Sequence, residues 1–406
     1  MRLVTFLLLF FWLNSALAQS LDTLKVISYN LLNFPELSPH RIDSIERIMA
    51  YLKPDILMVC ELTSGSGADN ILFNALNEGG IDYYDMADFV PGPDTQNMLY
   101  FNSDKLRLKE QNVIETVLRD INEYVLYYKN TDFELTSDTT FFYVYVCHLK
   151  ASAGFEDQRN AEALSLKNYL DGRAHAENIL IGGDFNFYGS DTEPGWTTIL
   201  SVGDVVMRDP INTPGHWSND ISFAAIHTQS PRVVPFDGGA TGGLDDRFDF
   251  IFTSEDLFTY SNGAKYIEGS YRAVGQDGLH FNQSLVSGPL NEQEPMEILT
   301  CLQNMSDHLP IYMEIELQTS PLSLASNKKF GFEVFYDADS NQLVFKNWNE
   351  ILGNGLKKCL IYSTGGQLVQ SIFPNDNFMI NTQGLPSGAY IIAIDGTNFS
   401  YKFVKP

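Results

Sequence analysis

The sequence predicts an α/β domain built on mixed sheets and, after it, a small all-β sandwich; three observations carry that reading. Short apolar runs of strand length alternate with stretches whose apolar residues recur at helical spacing. Six of those runs bring an acid, an amide or an imidazole to one edge: Asn30, Glu61, His148, Asp184 with Asn186, Asp249, and Asp307 with His308. Beyond residue 331 the helical spacing disappears and only short strands remain.

Residues 24–30 read as a strand and 31–37 as a loop. Ser38 is an N-cap candidate with Pro39 at the first helical position, and Ile42, Ile45, Met49 and Leu52 repeat at helical spacing up to Lys53, where Pro54 stops the helix. Strand 56–60 ends in Glu61. A Gly/Ser loop at 64–67 and a short helix ending before Gly79 follow, then strands near 97–101, 106–118 and 124–128, whose short links imply antiparallel pairing. Strand 141–148 leads through a loop to a helix from Gln158 that places Ala163, Leu166 and Leu170 on one face.

The most informative stretch is 178–186, where Ile179, Leu180, Ile181 and Phe185 run into Asp184 and Asn186. Polar groups at the end of a buried strand sit on a rigid rim, which is how scaffolds aim reactive side chains. Gly182 and Gly183 would let a substrate or metal approach the backbone. Segments 190–246 and 260–304 read as loops that shape a cleft, with Trp196, His216, Trp217, His227 and Phe236 scattered through the first. Residues 319–331 read as a linker, and 332–406 as seven strands (332–336, 342–345, 357–362, 367–373, 378–381, 390–394 and 399–404) with a hairpin turn at Gly365-Gly366.

Residues 1–18 have one Arg, an apolar run and a small-residue exit, the pattern of a secretory signal peptide, so the first domain is expected over 19–318. No later stretch has the length that spanning a bilayer needs, so an exported, soluble monomer without stable membrane insertion is expected. Formal charge is −25, from 26 Lys and Arg against 51 Asp and Glu. Such a chain repels polyanions unless cations intervene, which argues against passive nucleic-acid binding; metal-assisted phosphoester chemistry stays open, because a divalent ion inverts the local sign of an acidic site. The four cysteines show no CxxC spacing, and Cys60 and Cys147 read as small buried hydrophobes.

Asn30, Glu61 and Asp307 are hard oxygen donors that suit Mg²⁺ or Mn²⁺ better than zinc. Displacement at phosphorus needs an activated water, neutralised phosphoryl oxygens and protonation of the leaving oxygen. His308 can take the water's proton while Asp249 orients its other ring nitrogen. Plainer readings compete: turn formation for Asn30 and Asn186, capping by Glu61, an Asp249–Arg247 pair, and a core role for His148. His40, His175, His216, His227 and His280 read as surface or loop residues. The acidic, Gly-rich loop 237–246 can hold Ca²⁺ but reads first as a solvated loop.

The six motifs, Ser-Tyr-Asn at 28–30, Cys-Glu-Leu at 60–62, Cys-His-Leu-Lys at 147–150, Gly-Asp-Phe-Asn at 183–186, Phe-Asp-Phe-Ile at 248–251 and Ser-Asp-His-Leu-Pro at 306–310, resemble those of the endonuclease/exonuclease/phosphatase superfamily in its order. The resemblance covers about residues 24–317 and implies a four-layer α/β sandwich, two mixed sheets flanked by helices, with the site where the sheets' rims meet. It implies Glu61, with Asn30 and Asp307, as metal ligands, Asn186 on the phosphoryl oxygens, Asp249 and His308 as the orienting pair, and His148 at phosphate. For Asp184 it leaves water activation or assistance to the leaving group; His308 is taken as the base. The end of the chain, from Ile361-Tyr-Ser-Thr-Gly-Gly through Leu385-Pro-Ser-Gly-Ala-Tyr to Phe403-Val-Lys, resembles the sorting domain of the type IX secretion system, with Phe335-Tyr-Asp-Ala-Asp departing from the usual opening strand. This implies export from a Gram-negative cell by that machinery.

The expected activity is therefore that of a secreted metal-dependent nuclease. A phosphatase or a sphingomyelinase-like lipid phosphodiesterase is the alternative, favoured by the lack of a Lys/Arg cluster, since Lys150, Arg159, Arg232, Arg247 and Arg272 stand apart. An inactive, surface-displayed binding protein is the remaining reading.

Overall fold

The computed structural model describes residues 20–129, 139–173, 177–319, 333–337, 340–346, 357–363, 367–374, 379–394 and 400–405. The signal segment, nearly all of the linker, His175 and the Gly365-Gly366 turn lie outside them. The chain divides into two compact units, one of them Ser20–Thr319 and the other containing the C-terminal strands.

In the larger unit the elements run β1 (Ser20–Phe34), α1 (Ile42–Leu52), β2 (Ile56–Leu62), α2 (Gly65–Ile71), β3 (Tyr84–Met86), β4 (Gln96–Asn102), β5 (Leu106–Ile114), β6 (Ile121–Tyr128), β7 (Phe141–His148), α3 (Glu156–Asp171), β8 (Ile179–Asp184), α4 (Pro194–Ser201), β9 (Met207–Arg208), β10 (Asp249–Ser254), β11 (Ala264–Tyr266), β12 (Arg272–Ala273), α5 (Met296–Met305) and β13 (Ile311–Thr319). One sheet has the order β11-β13-β1-β2-β4-β3, with β12 also on β13, and the other β5-β6-β7-β8-β10-β9. Both are mixed. The parallel pairs are β1/β2 and β7/β8, and each is bridged by a helix, α1 or α3, as a parallel connection requires.

Strand alternation builds the layers. Along β8, Leu180 enters the core that also holds Val26 and Ile27 of the other sheet, while Ile179 and Ile181 enter a second core with Ala163, Leu166 and Leu170 of α3. Flanking helices, two mixed sheets and an apolar core shared between them are the expected architecture. The smaller unit has sheets β14 (Glu333–Asp337)-β15 (Gln342–Lys346)-β18 (Met379–Asn381) and β17 (Leu368–Ile372)-β16 (Cys359–Ser363)-β19 (Gly388–Ile394)-β20 (Ser400–Lys405), all antiparallel. Among the described residues no helix is long and apolar enough to cross a membrane.

Four local expectations are corrected. Ser38 caps nothing with its side chain, which bonds the His40 ring instead, and a 3-10 turn at Pro39–Arg41 precedes α1. The 31–37 loop is in its first half strand, since β1 runs on to Phe34. The Gly/Ser stretch is the first turn of α2, where the Ser64 hydroxyl accepts the Gly67 N–H at 3.1 Å. Segment 260–304 contains most of α5, whose Ile298, Leu302 and Met305 do recur at helical spacing behind a Gly- and Pro-rich lead.

Candidate active site

Sheet register creates the site. His148 on β7 is the parallel partner of Asp184 on β8, and Asp184 is the antiparallel partner of Asp249 on β10, so three neighbouring strands end in one polar row. Asn30 and Glu61 arrive from the facing sheet. There the ladder slips: the pairing of β1 with β2 shifts between Asn30 and Phe34, and that of β2 with β4 between Val59 and Leu62. Leu32, Asn33 and Glu61 take left-handed backbone conformations with φ of 47°, 47° and 58°, and Asn186 has φ 53°. For Leu32 and Glu61 this conformation costs free energy, and such residues gather where a side chain must be re-aimed. Here the slip presents the Glu61 carboxylate: Oε2 accepts the Asn33 N–H and Oε1 the Asn30 amide, both at 3.0 Å.

Asn30, expected among the metal ligands, lies at the acids. Its Oδ1 accepts the Leu32 N–H at 2.9 Å, which turns the amide nitrogen toward Glu61 Oε1 and Asp184 Oδ2, each 3.0 Å away. It bridges the two carboxylates. The described residues contain one group of acids and histidines close enough to share an ion, Glu61, His148 and Asp184, whose ligand atoms lie within 4.8 Å of one another. Asp307 lies outside that group; its Oδ2 accepts the Ala240 N–H at 2.6 Å and its buried Oδ1, 4.0 Å from His308 Nε2, has no hydrogen-bond partner. Loop 237–246, considered for Ca²⁺, thus gives a backbone N–H to Asp307.

The dyad expected of His308 and Asp249 is present: Nδ1–H of His308 donates to Asp249 Oδ2 at 2.7 Å, and Nε2 lies 3.7 Å from Asp184 Oδ2. Asn186 donates its backbone N–H to Asp184 Oδ1 at 3.0 Å and its amide to the Leu149 carbonyl at 3.3 Å. Two residues of the predicted loop were missed. Thr228 Oγ1 donates to Asp249 Oδ2 at 2.6 Å, and Gln229 Nε2 lies 2.7 Å from His308 Nε2. No periodicity marks them.

Burial dominates the electrostatics. It pushes Asp184 up to about 7, with His308 opposing and Asp249 and Glu61 adding, and it raises Glu61 too. It drives His148 well below the ordinary imidazole value, helped by Arg119. Burial also acts to lower His308, but Asp249, Asp184 and Asp307 overcome it and raise that ring well above its ordinary value. Carboxylates pushed toward protonation despite His308, beside an unpartnered acid oxygen and a neutral imidazole, form a site whose negative charge the protein offsets only in part. A divalent cation fits it.

Other expectations are corrected here. Gly182 and Gly183 do not face a ligand: a side chain at Gly182 would meet Met58, and one at Gly183 the Cys147 backbone. Arg247 pairs with Asp209, not Asp249. His227 and His280 are fully buried, His227 between the Trp217 and Leu244 carbonyls and His280 against Asp277, because each ring satisfies backbone or acid groups of packed loops. Arg159 is taken by Glu193, Arg232 by the Gln303 and Gly238 carbonyls and Arg272 by Glu294. All four cysteines are buried free thiols.

No curated protein compared with the chain matches it. Among solved structures it is similar to TDP2 of D. rerio complexed with a single-strand DNA product (14% identity, 72% of this chain and 99% of that one covered, TM-score 0.45). It is also similar to an endonuclease/exonuclease/phosphatase family protein of Bacteroides thetaiotaomicron (15%, 74% and 100%, 0.45) and to the human Nocturnin catalytic domain with bound sulfate (16%, 73% and 97%, 0.44). Residues 27–308, well over half of the chain and inclusive of every strand end described above, match the Endonuclease/Exonuclease/phosphatase family. The chain therefore belongs to that family of divalent-metal-dependent phosphoester hydrolases.

Proposed function

We propose that this chain is an exported phosphodiesterase that cleaves its substrate by in-line attack of water with His308 as the base. The observation that carries the reading is the His308–Asp249 pair at 2.7 Å, with Nε2 facing Asp184 across 3.7 Å. Asp249 fixes the proton on Nδ1 and stabilises the imidazolium, and the neutral ring, which the neighbouring acids make harder to reach and which rising pH favours, would take the water's proton at Nε2. Glu61, Asp184 and His148 would hold a divalent cation, with the free oxygen of Asp307 nearby. When bound, the cation neutralises charge on the phosphoryl oxygens. The donor set suits Mg²⁺ or Mn²⁺, and the imidazole nitrogen favours Mn²⁺ of the two. Asn186 would meet a phosphoryl oxygen, and Asp184, 3.7 Å from Nε2, would support His308 as the base.

A nuclease is the first substrate reading. A small or lipid phosphodiester is the second, and the arginines favour it: Arg41, Arg159, Arg232 and Arg247 are buried and bonded to carbonyls or acids, so none tracks a phosphate backbone. Export rests on the apolar start of the sequence and on its sorting-domain resemblance, with the C-terminal unit as the address. The test is incubation of the purified protein with plasmid DNA, RNA, sphingomyelin and a chromogenic phosphodiester, with and without chelator. Chelator-sensitive hydrolysis of at least one is expected, and hydrolysis of none sinks the proposal.

A further inference from the structure

The segment that carries Gln229 is fixed to the dyad from two sides. Its backbone bridges both Asp246 and His308, the Thr228 N–H donates to the Asp246 carbonyl at 2.7 Å, and the Leu309 N–H donates to the Thr228 carbonyl at 2.8 Å. With consecutive side chains pointing opposite ways, Thr228 reaches Asp249 and Gln229 reaches the far edge of the same imidazole. Nε2 of His308 is thereby given one neighbour at hydrogen-bond distance, the Gln229 carboxamide at 2.7 Å; Asp184 and Asp307 stand off at 3.7 and 4.0 Å. Among the described residues, the Gln229 carboxamide bonds nothing else.

The geometry points to Gln229 as a positioning residue for the base. This rests on the phosphodiesterase reading and deepens it. Asp249 holds only Nδ1, and a ring held at one nitrogen can still pivot about that bond. Contact at the opposite nitrogen fixes the ring plane, and because Nε2 has a single in-plane site, a water reaches it only when the carboxamide swings aside from a ring already held in place. The residue type fits the task. A carboxamide carries a donor and an acceptor at the same reach, so it can hold Nε2 as a lone pair before a water enters and as an N–H after the water has gone. A carboxylate offers only acceptance, an apolar side chain of the same length offers neither, and asparagine is one methylene too short to reach.

Gln229→Met and Gln229→Glu in the full chain, measured with Mn²⁺ on bis-p-nitrophenyl phosphate, test the role. Gln229→Met, similar in volume, should lower kcat about tenfold to a hundredfold with KM within about twofold of the wild type, as loss of a group that orients a reacting side chain does. The ¹⁵N resonance of His308 Nε2, assigned with His308→Ala, should move in Gln229→Met. In Gln229→Glu, which keeps an acceptor at that reach, it should move differently. A Gln229→Met protein with wild-type kcat, or with an unmoved ¹⁵N signal, overturns the positioning role while leaving the phosphodiesterase reading intact. A wild-type protein that hydrolyses no phosphodiester overturns that reading and the positioning role together, and the ¹⁵N shift then reports the contact alone.

Discussion

His148 and His308 face the same carboxylate, Asp184, at 3.7 Å, yet the surroundings drive them in opposite directions. His148 is held neutral by burial and by Arg119, while His308 is surrounded by Asp249, Asp184 and Asp307. That division separates a neutral imidazole fit to ligate from one fit to accept and hold a proton. His308→Ala should keep the thermal midpoint within a few degrees and lower kcat by about a hundredfold or more, and unchanged turnover would remove His308 from the mechanism. Asp184 gives a test that needs no substrate. Its folded-state carboxyl is raised from 3.8 to about 7, so the metal-free protein binds an extra proton relative to the unfolded chain and loses that stability as pH rises through this window. A divalent ion requires the ionised form, so the rise in thermal midpoint caused by Mn²⁺ should be larger at about pH 8 than at about pH 5. Equal rises at both values would show that Asp184 does not titrate there.

At the scale of the elements, β8 is the spine of the site and its two glycines carry different constraints. A Cβ at Gly183, where φ is +141°, would stand 1.8 Å from the Cys147 carbonyl oxygen in the neighbouring strand; one at Gly182 would meet the mobile end of Met58 at 2.5 Å. Backbone cannot yield as a thioether can. Gly183→Ala should therefore cost about 3 kcal/mol or more and Gly182→Ala about 1–2 kcal/mol, read from urea midpoints, and the reverse order would contradict the β7/β8 pairing. The register slip around Glu61 has a parallel consequence. Asn30→Asp would remove the amide that bridges Glu61 and Asp184 and place a third acid between them, so metal-free stability should fall by about 1–3 kcal/mol, with added Mn²⁺ restoring part of it. A calorimetric scan with and without the ion measures both effects.

For the molecule as a whole, charge decides the encounter with substrate. The chain carries −25, and its deep arginines are bonded internally, so a polynucleotide would gain little from counterion release. If DNA is hydrolysed, raising salt from about 50 to about 200 mM should reduce kcat/KM by less than about tenfold; a loss nearer 10³-fold would instead reveal a cationic track. The unit Ser20–Thr319 has its own two cores and contains all the strand ends of the site. Expressed alone, it should melt cooperatively and keep the turnover of the full chain.

How much of this could be read in advance follows from the range of the forces involved. Period-two and helical spacing are local, so Phe141–His148 was legible to the residue, and each short strand past 331 was legible from its own few residues. Helix α5 was obscured by the Gly- and Pro-rich lead, and α2 by small residues that usually mark loops. His227 and His280 looked like loop residues because sequence shows neither packing nor which carbonyls a ring will find. The polar strand ends were legible because an apolar run that stops at an acid or imidazole is a local event.

By itself the sequence determined the α/β class, the strand ends that carry Asn30, Glu61, His148, Asp184, Asp249 and His308, the acidic charge and the absence of a basic stripe. Only the tertiary structure decided which of these groups touch. That Asn30 turns its nitrogen and not its oxygen to the acids depends on a backbone N–H two residues away, held by a slipped ladder. That Gln229 meets His308 across 79 positions depends on a loop pinned to Asp246. Spacing along a chain fixes which face a side chain takes, whereas hydrogen-bond partners are fixed by register between strands and by loop packing, which no local pattern records.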